Sequence, residues 1–324
     1  MKLKFALVAS AALIAAGSFA APAMAQEFPT REITMLVGFA PGGSTDLMAR
    51  ILAEEMSKAL GQRITVENRA GANAVTATRA VARAAADGYT ILFNASNMAS
   101  NIEGMKEPGY GWKDFAIVGG FAYSPFVMVA STASTNAKNL KEFVAFGKAN
   151  PDKIKYASLG SSSPPNLVAQ RFNMKSGIAY REIPYKSANQ ITQDLLGGNV
   201  DLYFGTTTLG VTNLGQPNIA VFGISGSKRI PQLPDTPTFA EQGFEGINDV
   251  SVAGVWAPAG TPKPILDKLK KAMADAMKVP DITVQLTKAG QVLYTGTPEQ
   301  FQADIEKDGL MYRDDFKRLG VELQ

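Results

Sequence analysis

One unit repeats along this chain: a short apolar run, a loop of Gly, Ser or Asn, and then apolar residues at helical spacing. Glu32 to Phe39 reads as a strand, with Ile33, Met35, Val37 and Phe39 on one face. The loop Ala40-Pro41-Gly42-Gly43-Ser44-Thr45-Asp46 follows. Met48, Leu52, Met56 and Leu60, widened by Leu47 and Ile51, then predict a helix that Gly61 stops. Ile64 to Glu67 is a second strand, Asn73 to Ala86 an Ala-rich helix, Asp87-Gly88 a turn and Tyr89 to Asn94 a third strand. Such alternation predicts a parallel sheet covered by helices, an α/β fold.

The pattern resumes with strands at Phe126 to Ala130, Lys155 to Ser158, Arg181 to Pro184, Asp201 to Gly205 and Ile219 to Ile224. Helices are expected at Asn139 to Ala149, Asn166 to Met174 and Ile191 to Leu196. The end carries a helix from Pro262 to Met277, a strand near Gln291 to Tyr294 and a helix from Pro298 to Leu319. Two α/β units with different loop chemistry imply two lobes. The chain is expected to cross near Gly119 to Ser124 and to return near Gly246 to Trp256. That gives a discontinuous first lobe, 26–122 plus 248–324, and a second lobe, 123–247.

Residues 1–25 read as a secretory signal peptide. Lys2 and Lys4 precede an apolar run of 16 residues, Phe5 to Ala20, and Ala23-Met24-Ala25 supplies a cleavage site before Gln26. The run is short for a membrane anchor. The product is expected to be a soluble periplasmic protein. Its formal charge of +3 falls to +1 without Lys2 and Lys4, and no Lys/Arg cluster points to nucleic acid. The chain has no Cys, hence no disulfide, no lipidated N-terminal Cys and no thiolate metal site. It has no His either, which excludes Ser-His-Asp hydrolysis, His-ligated metals and the usual neutral-pH general base. No metal, cofactor or catalytic residue is expected, and the balance favours binding.

The first strand–loop–helix is the sharpest local signal. Gly42 and Gly43 let the backbone turn and approach a ligand, and the helix start offers N–H groups to a carboxylate. Ser44 stands where a P-loop needs Lys, so a nucleotide site is not indicated. Simple capping without a ligand is the competing account. Asp46 has two readings: a first-turn dipole partner, or a cleft acceptor for a ligand donor. Ser158 and the run Ser161-Ser162-Ser163 form a second candidate, equally a solvated turn. Asn94, Ser96 and Asn97, and separately Thr206, Thr207 and Thr208, follow strand ends where α/β ligands sit. Lys186 either senses an anion or faces solvent. Tyr185 and Trp256 read first as packing, and Ser225-Gly-Ser-Lys228 as a chance match to S-x-x-K.

Taken in order, several phrases resemble the tripartite tricarboxylate receptor family, the Bug-type periplasmic solute-binding proteins. They include Gly38-Phe39-Ala40-Pro41-Gly42-Gly43-Ser44-Thr45-Asp46, Val66-Glu67-Asn68-Arg69-Ala70-Gly71, Pro184-Tyr185-Lys186, Asp194-Leu195-Leu196-Gly197-Gly198 and Ala257-Pro258-Ala259-Gly260-Thr261-Pro262. The resemblance implies a two-lobed, type II-like periplasmic binding protein fold with a ligand cleft between the lobes. It implies a small carboxylate as ligand, a tripartite-type membrane transporter or a sensor as partner, and a monomer. Family members hold a carboxylate between loops that here span Phe39 to Asp46 and Ser158 to Ser163. The resemblance thus implies Ser44, Asp46, Ser158, Ser161, Ser162 and Ser163, with Tyr185, Lys186 and Thr206 at further cleft-facing regions; with Phe39, Pro41 and Gly43 of the first loop and Asn94 and Ser96 from the strand-end reading, these make the expected ligand-binding set. The sequence departs from the family at Asn166, where many members carry His, in Asn94 to Gly104, and in the Thr-rich stretch Thr206 to Leu214. Those departures bear on the identity of the ligand.

The expected function is a receptor for a di- or tricarboxylate or an aromatic acid, in uptake or sensing. The alternatives are an envelope interaction protein and, more remotely, an exported enzyme.

Overall fold

The computed structural model describes residues 27–320. The expected signal peptide and its cleavage point at Ala25/Gln26 lie outside those residues.

The chain begins with β1 (Ile33–Val37), α1 (Ser44–Leu60), β2 (Ile64–Asn68), α2 (Val75–Ala82) and β3 (Thr90–Ala95). Helix α1 buries Met48, Ile51, Leu52 and Met56 of the stripe its sequence spells, whereas Leu47, expected to widen that stripe, is exposed; Gly61 ends the helix at φ 66. Helix α2 starts later and ends earlier than its Ala-rich sequence predicts. Ala72, Asn73 and Ala74 have φ of 46, 52 and 71, a left-handed run that no right-handed helix can include. Then come α3 (Asn97–Gly104) and β4 (Phe115–Ser131). Sequence reasoning expected neither α3 nor the first half of β4 as elements; the stretch Gly119 to Ser124, where it placed the crossing, lies within β4.

The second half holds α4 (Thr132–Thr135), α5 (Leu140–Ala149), β5 (Ile154–Ser158), α6 (Pro164–Ser176), β6 (Tyr180–Pro184) and α7 (Ala188–Leu196). It continues with β7 (Leu202–Thr206), α8 (Thr207–Thr212) and β8 (Ile219–Ile224). The last elements are β9 (Val250–Pro258), α9 (Lys263–Ala276), α10 (Pro280–Lys288), β10 (Val292–Leu293) and α11 (Pro298–Leu319).

The strands run in the order β2-β1-β3-β9-β4-β7-β5-β6, with β8 and β10 also paired to β4. The sheet is mixed rather than parallel. β1 pairs parallel with β2 and β3, and β5 with β6 and β7, as βαβ crossovers require. β9 and β4 are antiparallel to their neighbours, because the chain enters and leaves the second half through them. β4 lies against β9 from Phe115 to Pro125 and against β7 from Phe126 to Ala130, so one strand belongs to both halves.

Each half is covered on both faces. Ile33, Met35 and Val37 of β1 join α1 and α9 in one core, while Leu36 faces α2 and α11 in another. The second half repeats this, with Phe172, Phe204 and Phe239 on one face and Val127, Tyr203 and Leu233 on the other. A smaller cluster of Ala99, Leu167, Tyr312 and Phe316 ties α3, α6 and α11 together. α11 closes on the sheet where glycine permits: a Cβ on Gly120 would stand 2.7 Å from Phe301. Among the described residues, no helix is long and apolar enough to cross a membrane.

Candidate functional site

The C-terminal ends of β1, β2, β3, β5, β6 and β7 meet around a cavity of about 620 Å³ between the two halves of the sheet. Gly38 to Pro41, Gly43, Ser44 and Thr45 form one wall, and Ala70 to Ala74 the wall beside it. The opposite half contributes Leu159, Ser163, Pro164 and Pro165, and then Tyr185 to Asn189. Among the described residues, Lys186 is the only charged side chain in the lining, and no carboxylate lines the cavity.

The first wall is held from behind by Asp46. That residue is 3% exposed and lies outside the lining. Its carboxylate accepts the Gly42 N–H (2.9 Å), Arg50 Nε (3.0 Å) and Asn68 Nδ2 (2.8 Å). Burial pushes its pKa up, but the hydrogen bonds from Arg50, Gly42 and Asn68 outweigh burial and hold it below the usual Asp value. Asn68 Nδ2 also donates to the Phe39 carbonyl (2.9 Å). Asp46 therefore acts as the anchor of the loop, not as a cleft acceptor. The first turn of α1 has no side-chain cap, and Gly43, Ser44 and Thr45 at its start line the cavity.

The serine loop is spent largely on itself. Ser158 Oγ accepts the Gly160 N–H (3.0 Å), and Ser163 Oγ donates to the Gly160 carbonyl (2.7 Å). Ser162 Oγ lies 3.3 Å from Asn101 Oδ1, a contact from α6's loop to α3. Ser161 Oγ is buried without a partner among the described residues. Of these four serines, Ser163 alone lines the cavity.

Asn94 and Ser96 do not reach it. Asn94 is fully buried; its Nδ2 donates to Thr78 Oγ1 and its Oδ1 accepts the Ala95 N–H (both 2.9 Å). Ser96 Oγ accepts the Val252 N–H (2.9 Å) and stands 3.4 Å from Asp308 Oδ2, so it staples β9 and α11 to the end of β3. Burial first, then the nearby Asp249 carboxylate, push Asp308 up to about 7. Phe39, Pro41, Gly43, Ser44, Tyr185, Lys186 and Thr206 all line the cavity. Tyr185 presents its ring, because its hydroxyl donates to Asp194 (2.5 Å) and its pKa is raised to about 12 by burial and that carboxylate.

Some lining residues escaped sequence reasoning. Phe126, Tyr203 and Ser251 come from mid-sheet strands with no loop signal. The left-handed run 72–74 is held by α3: Asn97 Nδ2 (3.0 Å) and Asn101 Nδ2 (2.8 Å) both donate to the Asn73 carbonyl, and Asn73 Nδ2 donates to Asn101 Oδ1 (2.9 Å). This explains the unusual segment Asn94 to Gly104. The Thr-rich segment also has a task. Thr208 Oγ1 donates to the Ala289 carbonyl (2.7 Å), accepts Gln291 Nε2 (2.7 Å) and lies 3.2 Å from Ser44 Oγ. Together these bonds bridge the two halves at the cavity edge.

A family model described as "Tripartite tricarboxylate transporter family receptor" matches residues 48–311. The structure of the periplasmic binding protein BugD is 34% identical, covers 92% of this chain and 100% of its own, and superposes with a TM-score of 0.86. MatC from Rhodopseudomonas palustris, with bound malate, is 28% identical over 89% of this chain and 99% of its own, with a TM-score of 0.83. An R. palustris protein with adipate is 27% identical over 92% of this chain and 100% of its own, with a TM-score of 0.87.

Proposed function

The chain belongs to the tripartite tricarboxylate transporter receptor family, and on that premise we propose that it captures a di- or tricarboxylate or an aromatic carboxylate in the cavity between its lobes. It has the two-lobed α/β periplasmic binding protein fold and is an extracytoplasmic receptor for a small organic acid, a binding protein and not an enzyme. Its partner is a tripartite-type membrane transporter; a sensor is the competing destination for the loaded form. The mature chain begins at Gln26, acts as a monomer and divides into lobes 26–122 plus 248–324 and 123–247.

One observation carries this reading. An uncapped helix start, Gly43-Ser44-Thr45, lines a cavity to which the described residues bring one cationic side chain and no carboxylate. Backbone N–H groups at a helix N-terminus favour an anion, and a partly enclosed site strengthens the attraction. Ser44 and Lys186 supply further donors, while Phe39, Pro41, Ser163, Tyr185 and Thr206 with Gly43 shape the remaining wall. Asp46, Asn94, Ser96, Ser158, Ser161 and Ser162 act by positioning that wall. The malate and adipate in two related structures are consistent with a small dicarboxylate.

The test is a thermal-shift and calorimetry screen of the mature protein, unfolded and refolded to shed carried ligand. Carboxylates, amino acids and aromatic acids are compared. A saturable shift by one class of acid is expected, since selective binding to the native state stabilises it. Tight binding of a cation or a neutral sugar, with none of any acid, would overturn the assignment.

A further inference from the structure

Thr207 and Thr208 open α8, whose Leu209 and Val211 pack into the second half, yet both hydroxyls are spent on the first. Thr207 Oγ1 donates to the Gly290 carbonyl, and Thr208 Oγ1 donates to the Ala289 carbonyl (2.7 Å). Gln232, also of the second half, donates from Nε2 to the Thr287 carbonyl (2.6 Å). All three acceptors stand at or just past the C-terminal end of α10, a helix rooted in the first half's core by Ile282 and Leu286. The last carbonyls of a helix have no partner within it, and its negative end favours donors. Here those donors come from the other half of the molecule. The approach is close: a Cβ on Gly290, at φ 72, would stand 3.1 Å from Val211 and 3.2 Å from Thr207.

These bonds link the halves at a place apart from the paired strands β4 and β9, and they sit behind the cavity wall. Thr206 and Leu209, on either side of the threonine pair, line the cavity; Thr207 and Thr208 do not. Thr208 Oγ1 lies 3.2 Å from Ser44 Oγ, whereas the Thr207 hydroxyl is spent on Gly290. An acid held by both walls leaves when the walls part, and parting them strips the end of α10 of its donors. We propose that Thr207 and Thr208 form a clasp between the halves, made when the cavity closes on the acid and broken when it opens. They are positioning residues: they slow release of the acid without touching it. The open form meets the acid before the clasp is made, so the bonds act on the dissociation rate and leave the association rate alone. This deepens the carboxylate-receptor reading and rests on it.

The experiment uses the refolded mature protein with malate, adipate, citrate, aspartate and benzoate as probes. Titration calorimetry identifies the acid that binds tightest, and surface plasmon resonance gives its two rate constants. Thr207→Val combined with Thr208→Val keeps the shape and removes both donors; koff should rise about 10-fold and kon change less than about twofold. Thr207→Val alone leaves the Ser44 contact intact and should raise koff about threefold. Thr207→Ser with Thr208→Ser keeps both hydroxyls and should hold koff within about twofold of the natural protein. Thr212→Val removes a hydroxyl that α8 spends on its own Thr208 carbonyl (2.9 Å), and should leave both rates unchanged. A fall in koff would overturn the clasp, since the bonds would then hold the walls apart. So would an unchanged koff in the paired Val variant, or a rise that Thr208→Val reproduces and Thr207→Val does not, because the effect would then travel through Ser44. If the paired Val variant does not fold, the two single Val variants decide, each with about a threefold rise expected. If the natural protein binds none of these acids, the carboxylate-receptor reading fails first and this inference with it; if it binds one and the Val variants release it at the natural rate, the clasp alone fails.

Discussion

The two Gly/Ser loops look alike in sequence and are built on opposite plans. Both follow a strand, both precede a long helix, and neither helix has a side-chain cap. At Gly42-Gly43-Ser44-Thr45 the hydrogen-bonding work is done from behind by Asp46, Arg50 and Asn68, and the helix start faces the cavity. At Ser161-Ser162-Ser163 the first two helical residues are Pro164 and Pro165, which have no N–H to offer, and the hydroxyls brace their own turn and α3. The contrast teaches that hydroxyl count does not identify an anion site. What matters is whether the loop's polar groups are already occupied.

The sharpest way to break the contrast is to give the first loop the second loop's chemistry. Ser44→Pro removes the first helical N–H where Pro is best tolerated, and the extended Gly43 (φ −78, ψ 168) suits a following Pro. Affinity for the acid should fall roughly 100-fold, about 2.7 kcal/mol by calorimetry, with the fold retained. Ser44→Ala keeps the N–H and should cost only about threefold; equal losses would mean that the hydroxyl does the binding.

The next effect falls on the anchor. Asp46→Asn keeps the size and discards the charge, and should lower stability by about 1.5 kcal/mol in urea. Because the folded-state pKa of Asp46 is depressed, its stabilisation is present above the ordinary Asp value and is lost as pH falls through the lower folded value. The natural protein should therefore lose Tm more steeply than Asp46→Asn as pH drops below about 4. Parallel curves would remove Asp46 from its anchoring role. The smallest effect belongs to the second loop: Ser161→Ala, Ser162→Ala and Ser163→Ala should each change Kd less than about threefold, within the worth of one neutral hydrogen bond. A large loss at Ser163 would return that loop to direct contact with the ligand.

Much of the fold was legible. The stripe from Met48 to Leu60 and the Gly61 stop gave α1 its bounds, and Pro298 to Leu319 gave α11. What sequence concealed was tertiary in origin. The Ala-rich stretch from Asn73 carries helix propensity, but two asparagine amides from α3 hold its first residues left-handed. The first half of β4 contains Gly119 and Gly120, which read as loop residues and sit within the strand, where Gly120 makes room for Tyr294 and Phe301. The Gly-rich wall of the cavity was visible as local chemistry. Asp46 was ambiguous because one partner, Asn68, lies on β2, although Arg50 stands one turn on in the same helix, and Phe126, Tyr203 and Ser251 reach the cavity only through antiparallel pairing that no local pattern encodes.

The sharing of β4 between the two halves reduces their relative motion to a simple kinematic problem. Tyr123, Ser124 and Pro125 lie directly opposite Val252, Ser251 and Val250, so the outgoing and returning chains form one axle of two paired strands. Turning of one half against the other about that axle would change the distance across the cavity. The chain contains no cysteine, so two introduced thiols could carry a donor and an acceptor fluorophore with no competing label. Such a protein would convert occupancy by its acid directly into an optical signal.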